Sequence, residues 1–420
     1  MSHPRLIRAL LLCAVLLHGA ALASDPPPPD YADRLSGDWG GLRAGLRDRG
    51  WEWEIVYRLD LLGRFKSDSH PARRYWLDQL DIKLDLDADR RFGWADTRGF
   101  LHILGNHGKK PAIESKRLPH GLDNIEVPEG ADSFKVFHAW LEKSFPDSGL
   151  SIKAGLYGID SEFYVTDSSG LFIHPTYGVG AEFAGTGHNG PSIFPYSSLG
   201  LRVKYQPVTE WYIQAALMDG VPGNPDHPKS TRIDFESGDG LLGIVEYGRL
   251  WGDADAPDAK LAVGLWGYSR RFDDMLSVDA DGNPLKRRSH GIYLASEATL
   301  WSAAEDPERR LRGFFRIGRN DGNTTQFTAA WSAGLVWDRV WPGGANSQFG
   351  LAYSQEHNGD KWRQSVGNGE HYERALELNY RTALRPGLWL QPFLQYLINH
   401  GNDPSQDHSW WGGLRIEASL

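Results

Sequence analysis

The stretch LDIKLDLD, Leu80–Asp87, alternates apolar and polar side chains without a break. Leu80, Ile82, Leu84 and Leu86 fall on one side; Asp81, Lys83, Asp85 and Asp87 fall on the other. Successive side chains of an extended chain point to opposite faces, so a period of two predicts a strand with one apolar and one charged face. Upstream, WEWEIVYRLDLL (Trp51–Leu62) repeats the pattern, with Trp51, Trp53, Ile55, Tyr57, Leu59 and Leu61 opposite Glu52, Glu54, Arg58 and Asp60. Downstream, Leu199, Leu201, Val203 and Tyr205 oppose Arg202, Lys204 and Gln206, and Leu414, Ile416, Ala418 and Leu420 oppose Arg415 and Glu417.

Such segments recur near 51–62, 76–87, 97–105, 134–145, 149–157, 199–207, 211–219, 240–249, 260–270, 290–301, 310–319, 326–337, 346–356, 372–383, 387–398 and 410–420, with 97–105 and 240–249 the weakest. Strands of roughly ten residues suffice to cross a bilayer when tilted. The connections sort by side. PDS at 146–148, VTE at 208–210 and RPG at 385–387 are tight, whereas 106–133, 158–198, 220–239 and 271–289 are long. Short turns at one end and long loops at the other are the pattern of outer-membrane barrels. Trp51, Trp211, Trp251, Trp301 and Trp337 all fall at strand ends on the short-turn side, as an interfacial girdle would. Open sheet edges in hydrocarbon would leave backbone groups unpaired at several kcal/mol each, so the sheet is expected to close. About sixteen strands leave a lumen too wide for side chains to fill. The expected fold is therefore all-β, a closed antiparallel transmembrane barrel over 51–420 whose charged face lines a water channel.

Composition narrows the function. A formal net charge of −9 disfavours a nucleic-acid partner. Residues 1–23 read as a secretory signal, with Arg5 and Arg8, an apolar run from Ala9 to Leu17 and an Ala21-Leu22-Ala23 cleavage site. Cys13, the only cysteine, lies in that run, so the mature chain has no thiol for a disulfide or a metal. DPPPPD at 25–30 reads as a stiff leader. The segment 24–50 is expected to be periplasmic, with Asp38 capping a short helix, Gly50 stopping it, and the arginines of LSGDWGGLRAGLRDRG (Leu35–Gly50) facing Glu52, Glu54, Asp85 and Asp87 as a plug or rim. GxSxG, HExxH and Walker patterns are absent from the sequence. Asp279–His290 starts like a calcium loop but carries Pro284 and His290 where glycine and glutamate are required, so a hairpin tip on Asp-Gly-Asn is the better reading. No cofactor, metal or enzymatic activity is expected.

At this point the chain resembles the OprB-type carbohydrate-selective porins. The likeness rests on LSGDWGGLRAGLRDRG, AWLEKSF (Ala139–Phe145), LSIKAGLYGIDSEF (Leu150–Phe163), GLFIHPTYG (Gly170–Gly178), FPYSSLGLRVKYQP (Phe194–Pro207), WYIQAALMDG (Trp211–Gly220) and LWLQPFLQYLINHG (Leu388–Gly401). The resemblance implies a sixteen-stranded outer-membrane barrel passing mono- or oligosaccharides by diffusion. It also implies that the loop after the fifth strand, about 158–198, folds inward, carrying Asp160, Glu162, Phe163, Phe172, His174 and Tyr177. On this reading the pore-lining or sugar-binding candidates are Arg43, Arg47, Trp140, Asp160, Glu162, Phe163, Arg202, Lys204, Glu246, Trp266, Arg312, Arg316, Glu377 and Arg381. Mixed lumen charge suits a neutral solute. The expected partners are small sugars and outer-membrane lipid; trimer and monomer both stay open, so a homo-oligomer is one of two alternatives. A barrel that binds or exports a polysaccharide is the second functional reading, and an outer-membrane enzyme the third.

Overall fold

The computed structural model describes residues 31–420 except 66–71, 110–120, 129, 232, 234, 235, 237, 253–256, 342–345, 368 and 403–407. The expected signal peptide, 1–23, and the proline leader, 25–30, lie outside the described residues. Ala32–Leu420 form one compact unit.

Sixteen strands follow in order: β1 (Trp51–Arg64), β2 (Arg73–Asp87), β3 (Thr97–Lys109), β4 (Ser133–Phe145), β5 (Leu150–Tyr157), β6 (Ser198–Val208), β7 (Trp211–Asp219), β8 (Leu241–Gly252), β9 (Pro257–Val278), β10 (Pro284–Ser302), β11 (Arg310–Asn320), β12 (Phe327–Asp338), β13 (Ser347–Asn358), β14 (Tyr372–Arg385), β15 (Leu388–Ile398) and β16 (His408–Ser419). Each pairs antiparallel with its sequence neighbours, and β1 pairs with β16, closing the sheet. Every predicted strand segment is present. The seam registers Leu59 with Ile416 and Asp60 with Arg415, and the Leu420 N–H donates to the Ile55 carbonyl at 2.8 Å. Closure leaves no edge with unpaired backbone.

The alternation sets the two faces. Leu61, Leu201, Leu217, Leu265, Ile292, Ile317 and Leu351 are exposed on the outside. Asp60, Gln79, Asp81, Arg202, Glu246, Glu377 and Arg415 are buried on the inside. Trp251, Trp301 and Trp337 are exposed at the tight-turn end.

One loop expectation fails. Residues 271–289 are not a long loop: β9 runs on to Val278, β10 starts at Pro284, and only 279–283 turn. Asp274 interrupts the row of Phe272, Leu276 and Val278 on β9, and the facing Lys286-Arg287-Arg288 of β10 is charged on both faces, so no continuous apolar stripe marks the extension as strand. It is held instead by Lys286 with Asp273 and by Arg287 with Asp274 at 3.3 Å. The Asp-Gly-Asn tip does form a turn, with the Asp279 carboxylate accepting the Asp281 and Asn283 N–H groups at 2.9 Å each.

The amino-terminal segment packs at the tight-turn end of the barrel, where the Leu35 N–H donates to the Ser419 carbonyl at 2.8 Å. Helix α1 (Leu42–Arg47) is six residues long, and the Asp38 carboxylate accepts the Ala44 N–H at 2.9 Å. Gly50, at φ 86°, stops the segment in a left-handed conformation where a side chain would meet the Asp87 carbonyl.

Candidate functional site: a loop pinned across the lumen

After Tyr157 the chain leaves the wall and does not rejoin it until Ser198. This long loop enters the barrel, as the resemblance implied. Its two ends are clamped together: the Ile159 N–H donates to the Ser192 carbonyl at 2.7 Å, and the Ser192 hydroxyl donates to the Tyr157 carbonyl at 2.8 Å. A loop crossing a lumen must satisfy its own backbone groups. Here the wall supplies carboxylates for them.

Glu246 on β8 accepts the Tyr164 N–H at 3.0 Å. Glu297 on β10 accepts the consecutive N–H groups of Asp167 and Ser168, both at 3.0 Å. Glu377 on β14 accepts those of Ile173 and His174 at 2.6 and 2.8 Å. A hydrogen bond to a charged acceptor contributes about 1.5–3 kcal/mol, so the three glutamates act as rivets along the loop. Glu246 is itself oriented by the hydroxyls of Tyr212 and Tyr293, at 2.8 and 2.6 Å. Those rings lie against Gly248 and Gly264, where an added Cβ would sit 2.2 and 2.1 Å from ring carbons, so only glycine admits them.

Between the rivets the loop packs on apolar wall. Tyr164 stacks on Tyr293 with centroids 4.0 Å apart, and Phe183 stacks on Trp266 at 4.4 Å. Phe163, Met218, Leu242, Ile244 and Tyr268 complete this cluster. Glu162 starts the loop as an anchor: Arg202 reaches it at 2.7 Å and also holds Glu142 at 2.7 Å, while Lys153 donates to Glu162 as well. Burial alone would raise the Glu162 carboxyl, but the hydrogen bonds and charges of Arg202 and Lys153 outweigh it and hold it below the usual range. Among the described residues no such cation reaches Asp160, and burial pushes it up to about 6. Burial likewise pushes Glu182 up to about 7; its carboxylate lies against the Cα of Gly318 and accepts the Tyr164 hydroxyl at 3.1 Å.

The predicted candidates thus divide. Glu246 and Glu377 are 1% and 0% exposed, beneath the loop. Arg316, whose guanidinium donates to the Tyr177 carbonyl at 2.5 Å, is covered too, as are Trp266, Phe163 and Arg202. Trp140 is sandwiched between Phe100 and the Lys153 ammonium, and Lys204 lies over the Tyr212 ring at 4.9 Å. Arg43 is at the rim, buried, donating to Gly37 at 3.3 Å and to the Leu420 carbonyl at 2.5 Å. The Arg47 carbonyl accepts from Arg90 at 3.4 Å, and it is Arg34 that reaches the acidic rim, 3.7 Å from Glu54. Only Arg312 and Arg381 of the set face the open passage.

That passage is a cavity of about 560 Å³ between the loop and the opposite wall. The wall side carries Arg58, Arg312, Arg381 and Arg415 with Gln79, Gln348 and Gln391; the loop side carries Asp167, Ser168 and Leu171. A relay of hydrogen bonds fixes the wall groups. Arg312 grips Asp338 at 2.6 and 3.0 Å, and Gln348 donates to Asp338 at 2.7 Å. The Gln348 carbonyl accepts Arg381 at 3.5 Å, and Arg381 donates to Glu417 at 2.8 Å. Glu417 also accepts Arg58 at 2.8 Å, Arg58 reaches Asp81 at 2.5 Å, and Asp81 meets His102 at 2.8 Å. The relay runs from β11 through the seam to β3. Among the described residues, one amino group each of Arg58, Arg312 and Arg415 has no protein partner.

Arg58, Gln79, Gln348, Gln391, Arg415 and Glu417 were missed as site residues, although each sits on the inward face of a predicted strand. A second inward segment was also missed. Residues 121–128, of the β3–β4 loop, place Leu122 and Ile125 against the wall, and Asn124 and Asp123 accept Arg415 at 2.7 and 3.1 Å.

A closed antiparallel barrel whose lumen is narrowed by an inward loop to a polar eyelet defines an outer-membrane porin. Residues 75–420 match the family described as carbohydrate-selective porin, OprB, and the chain belongs to that family. Porin B of Pseudomonas aeruginosa is 24% identical over 445 residues, covering 97% of this chain and 95% of that one. The putative porin QuiX of Acinetobacter baylyi is 24% identical over 98% of each chain. The fold superposes on the high-pH structure of Pseudomonas putida OprB with a TM-score of 0.82 at 20% identity, over 93% of this chain and 99% of that one. The protein is a carbohydrate porin of the outer membrane, a channel.

Proposed function

We propose that uncharged sugars cross this porin by diffusion through the eyelet, meeting the guanidinium and amide arc on one side and the loop on the other. The observation that carries this reading is the relay itself. Each arginine is held flat by a carboxylate, so its charge is balanced while its spare N–H groups remain free for hydroxyl oxygens. A field balanced in this way steers neither anions nor cations strongly, and contacts spread over several weak donors let a solute enter and leave. Arg381 lies 3.9 Å from the Trp389 ring centroid, which supplies an apolar surface beside the donors for the C–H face of a sugar. On the outside, the exposed aliphatic belt and the tryptophans at the tight-turn end suit contact with lipid. Swelling of liposomes carrying the purified protein tests the reading: hexose and disaccharide influx above that of empty liposomes is expected, and none would refute it.

A further inference from the structure

At the extracellular ends of β9, β10 and β11 the outer wall changes character. Elsewhere at this level it shows exposed aromatics, Trp76, Phe134 and Trp410. On these three strands Arg271, Arg288, His290 and Arg319 stand exposed instead: Arg319 and His290 lie two residues beyond the apolar Ile317 and Ile292, and the Arg271–Arg288 pair lies farther out along the same strands. Arg271 and Arg288 are cross-strand partners, and Arg319 is opposite Ile292 on the next pair.

Adjacent like charges on a sheet are destabilising unless something neutralises them. The chain does not do so. Asp273 is taken by Lys286, Asp274 by Arg287 and Lys361, and the Asp321 carboxylate by the N–H groups of His290 and Asn323 at 3.2 and 3.0 Å. Among the described residues, no carboxylate lies within ion-pair distance of Arg271, Arg288 or Arg319. In a chain of net charge −9, three unpaired guanidiniums on adjoining strands mark a site for an external anion.

Its position selects the anion. The cations sit at the outer edge of the apolar belt and point away from the lumen, so they meet the headgroup layer of the outer leaflet rather than a permeating solute. We propose that Arg271, Arg288 and Arg319, assisted by His290, bind the phosphates of the outer-leaflet glycolipid, whose acyl chains lie along Leu265, Ile292 and Ile317. Guanidinium forks match phosphate bidentately, and basic side chains at a membrane surface add attraction to anionic lipid that salt weakens.

The test uses the full-length porin in detergent without divalent cations, incubated with diphosphoryl lipid A or its dephosphorylated form and read by native mass spectrometry. The diphosphoryl lipid should be retained and the dephosphorylated lipid should not. The triple variant R271Q/R288Q/R319Q should lose retention by roughly fivefold per arginine, with sugar influx unchanged. R319Q alone, expected to weaken retention roughly fivefold, decides the matter if the triple variant does not insert. Equal retention of both lipids, or full retention by the variants, would overturn the proposal. Displacement of the lipid by inorganic phosphate at the same concentration would overturn it too, because the site would then serve a free anion.

Discussion

The wall of this barrel is two walls. Strands β7–β10 turn Tyr212, Met218, Leu242, Ile244, Trp266 and Tyr293 inward, and the loop covers them. The arc from β11 through the seam to β3 turns arginines, carboxylates and glutamines toward the passage, while the loop tip still covers Phe314, Val336, Ala352 and Glu377 on part of it. Both have the same strand alternation and the same registration. What differs is whether the lumen side meets protein or water. Under the loop, Glu246 on β8 and Glu377 on β14 are buried and hold it; beside the passage the inward charges stay partly exposed, with side-chain exposures of 23% for Arg58, 18% for Arg312 and 24% for Arg381. Position relative to the loop, not residue type, decides whether an inward charge is a rivet or a lining group.

The strongest way to break that division is to remove a rivet. Glu377→Ala strips the acceptor from two consecutive loop N–H groups, and about 3–5 kcal/mol of loop docking should go with them. Single-channel conductance should rise several-fold and discrimination among sugars should fall; Glu377→Gln should retain part of both. Next comes Gly264→Val, which drives a side chain into the Tyr293 ring and costs roughly 1–3 kcal/mol, read as a lower temperature of barrel unfolding and a wider channel. On the open wall, Arg312→Ala should leave barrel stability nearly unchanged while weakening sugar block by about fivefold to tenfold, the loss of one or two hydrogen bonds to hydroxyls.

Why the two walls differed in legibility follows from the same contrast. LDIKLDLD and the seam strands have one wet and one apolar face, so their period of two is plain. The β8 strand carries Leu242, Ile244 and Leu250 inward under the loop and Val245 and Tyr247 outward, so both faces are apolar and the alternation blurs. The extension of β9 and β10 blurred because charged residues, Asp274 on one strand and Lys286-Arg287-Arg288 on the other, break its apolar row. The inward loop came from the resemblance rather than from periodicity. Its rivets could not be told from lining groups, because Glu246 and Glu377 on inward strand faces look like Glu417 until the loop is in place. Asn124 and Asp123 lie in a loop whose fold no local pattern records.

The smallest effect expected concerns pH. Asp160 is raised to about 6 from an ordinary value of 3.8, so the folded loop binds this proton more tightly than the unfolded chain does. Its contribution is therefore fully present at pH 3 and lost as pH rises through 6. Glu162 is lowered, so its contribution has the opposite sign, present at neutral pH and lost on acidification below the usual carboxylate range. Asp160→Asn should remove the change in conductance noise between pH 4 and 6 and leave the acid-side change attributed to Glu162.

On the proposed function, neutral sugars are read by the arginine arc. Conductance across a planar bilayer, with glucose and a disaccharide as blockers, measures this directly. The native channel should show concentration-dependent block by both, and Arg312→Ala with Arg381→Ala should lose most of that block while its conductance is unchanged or higher. Equal block in the double variant would show that the arc does not read the sugar.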